Sequence, residues 1–153
     1  NLRLTEMQSA IGRIQLEYLG SWVETRRRNA KVLTECFRDI PGIRITQPGE
    51  HEYHSYYKYY CFVQNECLNP DWDRDKIMQA VNAEGISCKS GVCPEIYREK
   101  AFSGIAGTSG EDFDIAKKLG ETSLMFMVHP TLKIQDMYDM CRAVQKVMQV
   151  ATQ

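Results

Sequence analysis

The sequence predicts an α+β protein, in which an N-terminal helical arm precedes a small domain with a short, mainly antiparallel sheet covered by helices. Three observations predict this class: apolar residues recur at helical spacing over the first forty positions, strand-like segments are few and short, and a clean apolar stripe marks a last helix. With 153 residues, of which 43% are hydrophobic and 25% charged, the chain is long enough to bury a core.

The arm begins at Thr5, an N-cap residue that Gln8 follows three positions later, which is the capping-box pattern. Apolar residues then share one helical face: Met7, Ile11, Ile14, Tyr18 and Trp22. Gly20 costs about 1 kcal/mol inside a helix. The pattern therefore allows two helices, over about 5–18 and 20–39, or one long bent helix.

After the Pro-Gly pair at 41–42, strand and helix signals alternate. The predicted strands are 43–46, the tyrosine-rich 55–63 and 123–128, with a shorter extended segment at 86–88. The predicted helices are 73–84, 95–102, 112–119 and 134–150. The Gly- and Ser-rich stretch 103–111 is predicted to be the most flexible part of the chain.

The net charge, the apolar runs and the cysteine pattern limit which partners and which cellular compartment are expected. The 19 basic and 20 acidic residues leave a net charge of −1, so nucleic acid is not an expected partner, and the arginines at 26–28 are predicted to form a solvated helix face. No apolar run is long enough to span a membrane, and no signal pattern opens the chain. The six cysteines contain no C-x-x-C pair, and we expect reduced thiols in a cytoplasm.

No catalytic motif identifies an enzyme, because GxGxxG, P-loop, HExxH and GxSxG patterns are all missing from the sequence. His51 and His54 lie in a polar loop with Glu50 and Glu52 beside them. A metal site would need ligands from elsewhere in the chain, and the loop is predicted to be solvated. The spacing of Cys88, Cys93 and His129 does not require a zinc site or a Cys–His nucleophile pair. No metal site is expected.

Residues 1–12 (NLRLTEMQSAIG) resemble the Asn-x-Arg-x-(Ser/Thr)-(Glu/Asp)-x-Gln-Ala-Ala-(Ile/Leu)-Gly segment of the DegT/StrS sugar aminotransferases, which are pyridoxal-phosphate enzymes of fold type I. Ser9 stands where the family usually has alanine. Weaker matches follow in the family's order over nearly the whole chain: 15–27, 54–60, 74–86, 94–102 and 116–130. The first segment is the more specific signal.

The resemblance implies a C-terminal part, about two-fifths, of an enzyme that moves an amino group from an amino acid, usually glutamate, to a keto sugar on a nucleotide. Residues 1–18 would be a helix from the end of the large cofactor domain, 19–40 the interdomain helix, and 41–153 the C-terminal small domain. The start at Asn1 also indicates a fragment. We expect a bacterial, cytoplasmic homodimer that uses pyridoxal 5'-phosphate when complete, and Met7, Ile11 and Ile14 of the separated arm should lose their cover.

In the family, the Schiff-base lysine lies upstream of the matched segment, so none of the nine lysines is expected to be catalytic. The chain alone is expected to be inactive and to bind no pyridoxal phosphate. Asn1 matches the residue that reaches across the homodimer interface to the cofactor phosphate, and Arg3 matches an arginine that contacts the nucleotide sugar. The competing interpretation makes both ordinary helix-entry residues.

The loop 89–97 supplies further substrate-side candidates. Many relatives carry a His-Tyr pair where this chain has Gly91-Val92, so the identity of the sugar does not transfer. The resemblance leaves Ser90, Cys93, Glu95 and Tyr97 as candidate substrate-binding residues. The alternative function is a non-catalytic binding or regulatory module derived from this domain.

Overall fold

The computed structural model describes residues 3–102 and 113–152, and within them it confirms the α+β class. The helices are α1 (Glu6–Phe37), α2 (Arg74–Ala83), α3 (Asp114–Thr122) and α4 (Ile134–Ala151), with short 3-10 turns at Asn65–Cys67, Ile96–Arg98 and Lys100–Phe102. The strands are β1 (Ile43–Ile45), β2 (Tyr59–Val63), β3 (Cys88–Lys89) and β4 (Ser123–Phe126). They form one sheet of order β1-β2-β4-β3, in which every neighbouring pair is antiparallel. The predicted flexible stretch 103–111 overlaps the part that is not described.

Helix α1 is continuous, so the interpretation as two helices over 5–18 and 20–39 is wrong. The predicted capping box is confirmed: the Gln8 amide donates to Thr5 Oγ1 at 3.2 Å, and the Thr5 amide donates to Gln8 Oε1 at 3.0 Å. Gly20 lies inside the helix without ending it, because a cost of about 1 kcal/mol does not offset the hydrogen bonds on either side.

The second half of α1 packs on one face of the sheet together with α4. The buried residues of α1 are Asn29, Ala30, Leu33, Thr34 and Phe37. The Phe37 ring packs edge-on against the rings of Tyr59 in β2 and Phe126 in β4, with centroid distances of 5.9 and 5.3 Å. Ile77 and Val81 of α2 are buried in the same core, so the interior of the domain lies between the sheet and the helices α1, α2 and α4.

Residues 6–21 of α1 extend away from this core as an arm of about 24 Å, and none of them is buried. The large apolar side chains exposed along it are Met7, Ile11, Ile14, Leu16, Tyr18 and Leu19, and Leu4 is exposed just ahead of the helix. Met7, Ile11 and Ile14 are exposed, as expected for the separated arm. Such an arm has little intrinsic stability as a helix, because most helical stability in proteins comes from packing of an apolar face.

The sequence predicts a strand that begins at position 55, but strand β2 begins at Tyr59. Tyr56 has a φ of 46°, a left-handed conformation that an extended strand does not contain. Its amide donates to His54 Nδ1 at 3.1 Å, which fixes a turn just ahead of the strand. The aromatic enrichment that predicts a longer strand reflects this turn as well as the sheet.

Two of the three consecutive arginines hold this turn against α1. Arg26 Nη1 donates to the Tyr57 carbonyl oxygen at 2.8 Å, and Arg27 Nη1 donates to the His54 carbonyl oxygen at 2.9 Å. Both side chains are half-buried. The prediction of a solvated face is therefore wrong for Arg26 and Arg27, because their guanidinium groups donate to backbone carbonyl oxygens of the turn.

The ends of the shorter elements also differ from prediction. Helix α3 continues through Gly120 to Thr122, and β4 ends at Phe126, ahead of the His-Pro pair at 129–130. The segment 95–102 forms two 3-10 turns where a short helix was expected. Within the described ranges, no helix combines the length and apolar character needed to cross a membrane.

Candidate functional site

The predicted site residues lie on two separate parts of the fold. Asn1 lies outside the described residues, and Arg3 is exposed at the start of the arm, just ahead of the Thr5 cap. Ser90, Cys93, Glu95 and Tyr97 lie in the loop that follows β3. Arg3 thus belongs to the segment that leads into α1, and the other four belong to the loop that follows β3.

The loop that follows β3, residues 90–99, is fastened to its neighbours at two points. The Gly91 amide donates to Ser123 Oγ at the start of β4, over 3.1 Å. Pro94 packs against Gly120 of α3 so closely that a Cβ added to this glycine would lie 2.1 Å from Pro94 Cγ. The loop is therefore held by the end of α3 and by the strand that follows it.

Glu95 and Tyr97 form one polar unit within the loop. Tyr97 Oη donates to Glu95 Oε1 at 2.5 Å, and Arg98 Nε pairs with the same oxygen at 3.1 Å. The Tyr97 ring packs edge-on against Phe113, with a centroid distance of 4.8 Å. Because the hydroxyl hydrogen is directed to Glu95, the lone pairs of Tyr97 Oη remain able to accept a hydrogen bond from a ligand.

Cys93 is exposed, and its thiol donates to Glu99 Oε1 at 3.1 Å. This hydrogen bond raises the pKa of the Cys93 thiol, with desolvation and the nearby Glu99 charge acting in the same direction. A thiol held in its protonated form is a weak nucleophile. Cys93 therefore suits a hydrogen-bonding role better than covalent catalysis. Ser90, three positions earlier in the same loop, is also exposed.

The structure does not assemble a site from Cys88, Cys93 and His129. Cys88 is buried, and desolvation raises its pKa to about 12. His129 Nδ1 is instead 2.8 Å from Thr131 Oγ1. Across residues 3–102 and 113–152, no cluster of three or more His, Cys, Asp or Glu side chains could hold a metal ion.

All nine lysines lie within the described residues, and none is buried. Lys58 alone is half-buried, and its ammonium nitrogen lies 5.4 Å from the centre of the Tyr57 ring. A lysine that forms a Schiff base is typically activated by a desolvated pocket or a neighbouring cation. The described residues therefore do not fit pyridoxal phosphate by themselves.

A cleft that sequence reasoning missed opens between α1 and the segment 47–56. It encloses about 550 Å³, and its charged lining includes Arg27, Arg28 and Lys31 on the helix and Glu50 and Glu52 on the loop. In the sequence, the polar residues 49–54 are typical of a solvated loop and give no sign of a cleft. The cationic run on α1 was the available signal, but only the fold shows that the two segments face each other.

The DegT/DnrJ/EryC1/StrS aminotransferase family matches residues 1–145. The structure is similar to that of an aminotransferase from Psychrobacter cryohalolentis, with a TM-score of 0.88 and 36% identity, over 97% of this chain and 40% of that one. Comparison with curated proteins gave no match.

Two more distant structures share the fold. S. venezuelae DesV in complex with a ketimine intermediate has a TM-score of 0.82 and 22% identity, over 96% of this chain and 37% of that one. The E. coli GDP-4-keto-6-deoxy-D-mannose-3-dehydratase with bound hydrated PLP has a TM-score of 0.76 and 21% identity, over 94% of this chain and 36% of that one. The chain spans 36–40% of the length of these three proteins. On its match over residues 1–145, the chain belongs to the DegT/DnrJ/EryC1/StrS aminotransferase family.

Proposed function

We propose that this chain is the C-terminal part of a pyridoxal-phosphate-dependent aminotransferase that moves an amino group from an amino acid, glutamate, to a nucleotide-linked keto sugar. The family match over residues 1–145 carries the proposal, and the 36% identity to the Psychrobacter aminotransferase supports transamination. Pyridoxal phosphate follows from the family and from the E. coli relative that has it bound. When bound, this cofactor supplies the electron sink of the reaction.

The chain alone is inactive in this proposal, and the catalytic lysine belongs to a preceding cofactor domain. The exposure of eight of the nine lysines supports this part, since none of them has the enclosed surroundings that a Schiff-base lysine needs. The exposed apolar residues of the arm support a preceding domain, which would cover them. The complete enzyme would be a cytoplasmic homodimer.

Within that enzyme, each candidate residue has a role that its chemistry suits. Asn1 would donate its amide to the cofactor phosphate of the other subunit, and Arg3 would pair with the diphosphate of the nucleotide. The loop 90–99 would form one wall of the substrate site. Tyr97, oriented by Glu95, would accept a hydrogen bond from a sugar hydroxyl, while Ser90 and Cys93 would offer further polar contacts.

Reductive trapping tests whether the chain holds its own cofactor site. The purified chain is mixed with pyridoxal phosphate and reduced with borohydride, and its intact mass and peptide map are measured. We expect no stoichiometric adduct, only scattered labelling of exposed lysines. One lysine labelled one-to-one, and protected by a substrate analogue, would contradict the proposal.

The coding sequence upstream of Asn1 distinguishes the proposed enzyme from the alternative, a non-catalytic binding or regulatory module. A reading frame that continues upstream through a lysine motif excludes the module. A natural start codon just ahead of Asn1 would favour it and contradict the proposed enzyme.

In the complete enzyme, Arg3→Gln should raise the KM for the nucleotide sugar about tenfold or more, because a charge-assisted contact to a diphosphate is lost. Arg13→Gln is the matched control, since Arg13 is also an exposed arginine of the arm. An unchanged KM in the Arg3 variant would remove Arg3 from the substrate site.

A further inference from the structure

The cleft between α1 and the segment 47–56 has walls that are already fixed. Arg27 donates to the His54 carbonyl oxygen and lies over the Tyr53 ring, with its Cζ 4.4 Å from the ring centre. Tyr53 Oη in turn donates to Glu24 Oε1 at 2.5 Å. These contacts join the loop to the helix from both sides, so the cleft is preformed and does not depend on a ligand to hold it open.

The tip of the loop is also organised by its own contacts. The Gly49 amide donates to Glu52 Oε2 at 2.8 Å, and the Glu52 amide donates to the Gly49 carbonyl oxygen at 2.9 Å. This turn places Glu50 and Glu52 on the wall that faces α1. Arg27, Glu24 and one oxygen of Glu52 are thus committed to building the cleft.

Other charged side chains of the lining take no part in holding the loop to the helix. Arg28 lines the cleft with an exposed side chain, and its guanidinium forms no hydrogen bond or ion pair with the described residues. Lys31 makes only a loose, exposed pair with Glu35, at 3.8 Å. On the opposite wall, Glu50 likewise has no partner among the residues that the structure describes. The helix wall therefore offers spare cations, and the loop wall offers a spare carboxylate.

We propose that this cleft binds a small zwitterion, with its anionic group on Arg28 and Lys31 and its ammonium group on Glu50 and Glu52. The planar guanidinium of Arg28 can pair with a phosphate or a carboxylate through two parallel hydrogen bonds. The lining holds three cations and three carboxylates, so a simple anion gains no net attraction, whereas a ligand with both charges is complementary to both walls. The volume of about 550 Å³ lies within the usual range for small-molecule sites.

The two walls can be tested separately with a matched pair of ligands. Glucosamine 6-phosphate and glucose 6-phosphate differ only in an ammonium group that replaces a hydroxyl, and 6-aminohexanoate offers a carboxylate as the anion. Backbone amide NMR signals of the chain are followed during each titration. We expect glucosamine 6-phosphate to shift signals over 24–34 and 47–56, and glucose 6-phosphate to bind about threefold to tenfold more weakly.

Variants then assign each wall. Arg28→Gln should weaken binding of glucosamine 6-phosphate about tenfold or more, while Arg13→Gln on the arm leaves it unchanged. Glu50→Gln should reduce the difference between the two sugar phosphates. Preference of 6-aminohexanoate over glucosamine 6-phosphate would support a carboxylate ligand for the same site.

Three results would overturn the proposal: no shift with either zwitterion, equal binding of the two sugar phosphates, or an Arg28 variant that binds as tightly as the unsubstituted chain. The experiment needs neither the cofactor nor the amination reaction. Its failure would therefore leave the proposed aminotransferase function untouched, and failure of that function would not affect the cleft.

Discussion

Gly120 of α3 and Pro94 of the loop after β3 are in direct contact, and a Cβ at Gly120 would fall 2.1 Å from Pro94 Cγ. Ordinary contacts of a Cβ atom lie at 3.4–4 Å. The absence of a side chain at Gly120 thus sets how closely the loop that carries Cys93, Glu95 and Tyr97 approaches α3. This glycine is conspicuous in the sequence only as a possible helix end, which it is not.

Replacement of Gly120 by alanine should displace the loop and lower stability. Alanine is favoured over glycine inside a helix by about 1 kcal/mol, but the clash forces Pro94 to move, and overpacking costs about 1–3 kcal/mol. We expect a net loss of about 1 kcal/mol in urea unfolding, with shifted amide signals over 91–97. Gly12→Ala is the control, because nothing lies within 4 Å of its Cβ position in α1. Equal behaviour of the two variants would contradict the contact.

Removal of the Glu99 carboxylate should make Cys93 more reactive. The hydrogen bond to Glu99 raises the pKa of the Cys93 thiol, so Glu99→Gln lowers it and increases the thiolate fraction near pH 8. We expect alkylation of Cys93 by iodoacetamide to become about two- to tenfold faster. Peptide mass spectrometry measures the rate, with half-buried Cys67 of the same sample as internal reference. An unchanged Cys93 rate would show that Glu99 does not hold the thiol proton.

Sequence patterns predict the elements whose signals lie in contiguous residues. The capping box of Thr5 and Gln8 forms as expected. The apolar stripe at 134–148 is packed as a core face, with Met137, Val144 and Met148 fully buried. Both features depend on the 3.6-residue period and on local hydrogen bonds, which are properties of the chain before it folds.

Contacts between distant segments could not be predicted in this way. The left-handed Tyr56 is held by Arg26 and Arg27, which lie 27–31 positions earlier than the carbonyls they bind. Nothing near Tyr56 in the sequence distinguishes this turn from the start of a strand. The candidate substrate residues came from a resemblance, and their mutual contacts, such as Tyr97 with Glu95, became visible only in the fold.

The uncovered arm should make the chain self-associate. Met7, Ile11 and Ile14 are each more than half exposed on one helix face, and burial of such side chains contributes about 1.5–3 kcal/mol each. We expect concentration-dependent association in sedimentation equilibrium, which the triple substitution of these residues by glutamine abolishes. A control pair, Ile115→Gln and Val150→Gln, removes exposed apolar side chains outside the arm and should leave association intact. A chain that stays monomeric at millimolar concentration would contradict this expectation.

Alkaline pH should reduce the contribution of Cys88 to stability. Burial raises the pKa of its thiol from an ordinary 9.0 to about 12 in the folded protein. The stabilising contribution is therefore complete below about pH 9, where both states are protonated, and is lost as the pH rises toward 12, because only the unfolded chain ionises in that interval. Cys88→Ala lacks this group. The unsubstituted chain has the higher unfolding free energy at pH 8, and its advantage over the Cys88→Ala variant should shrink by at least about 1 kcal/mol between about pH 8 and 10.5. Urea unfolding of both proteins across this range measures the advantage, and an advantage that does not change with pH would show that the buried thiol ionises equally in both states.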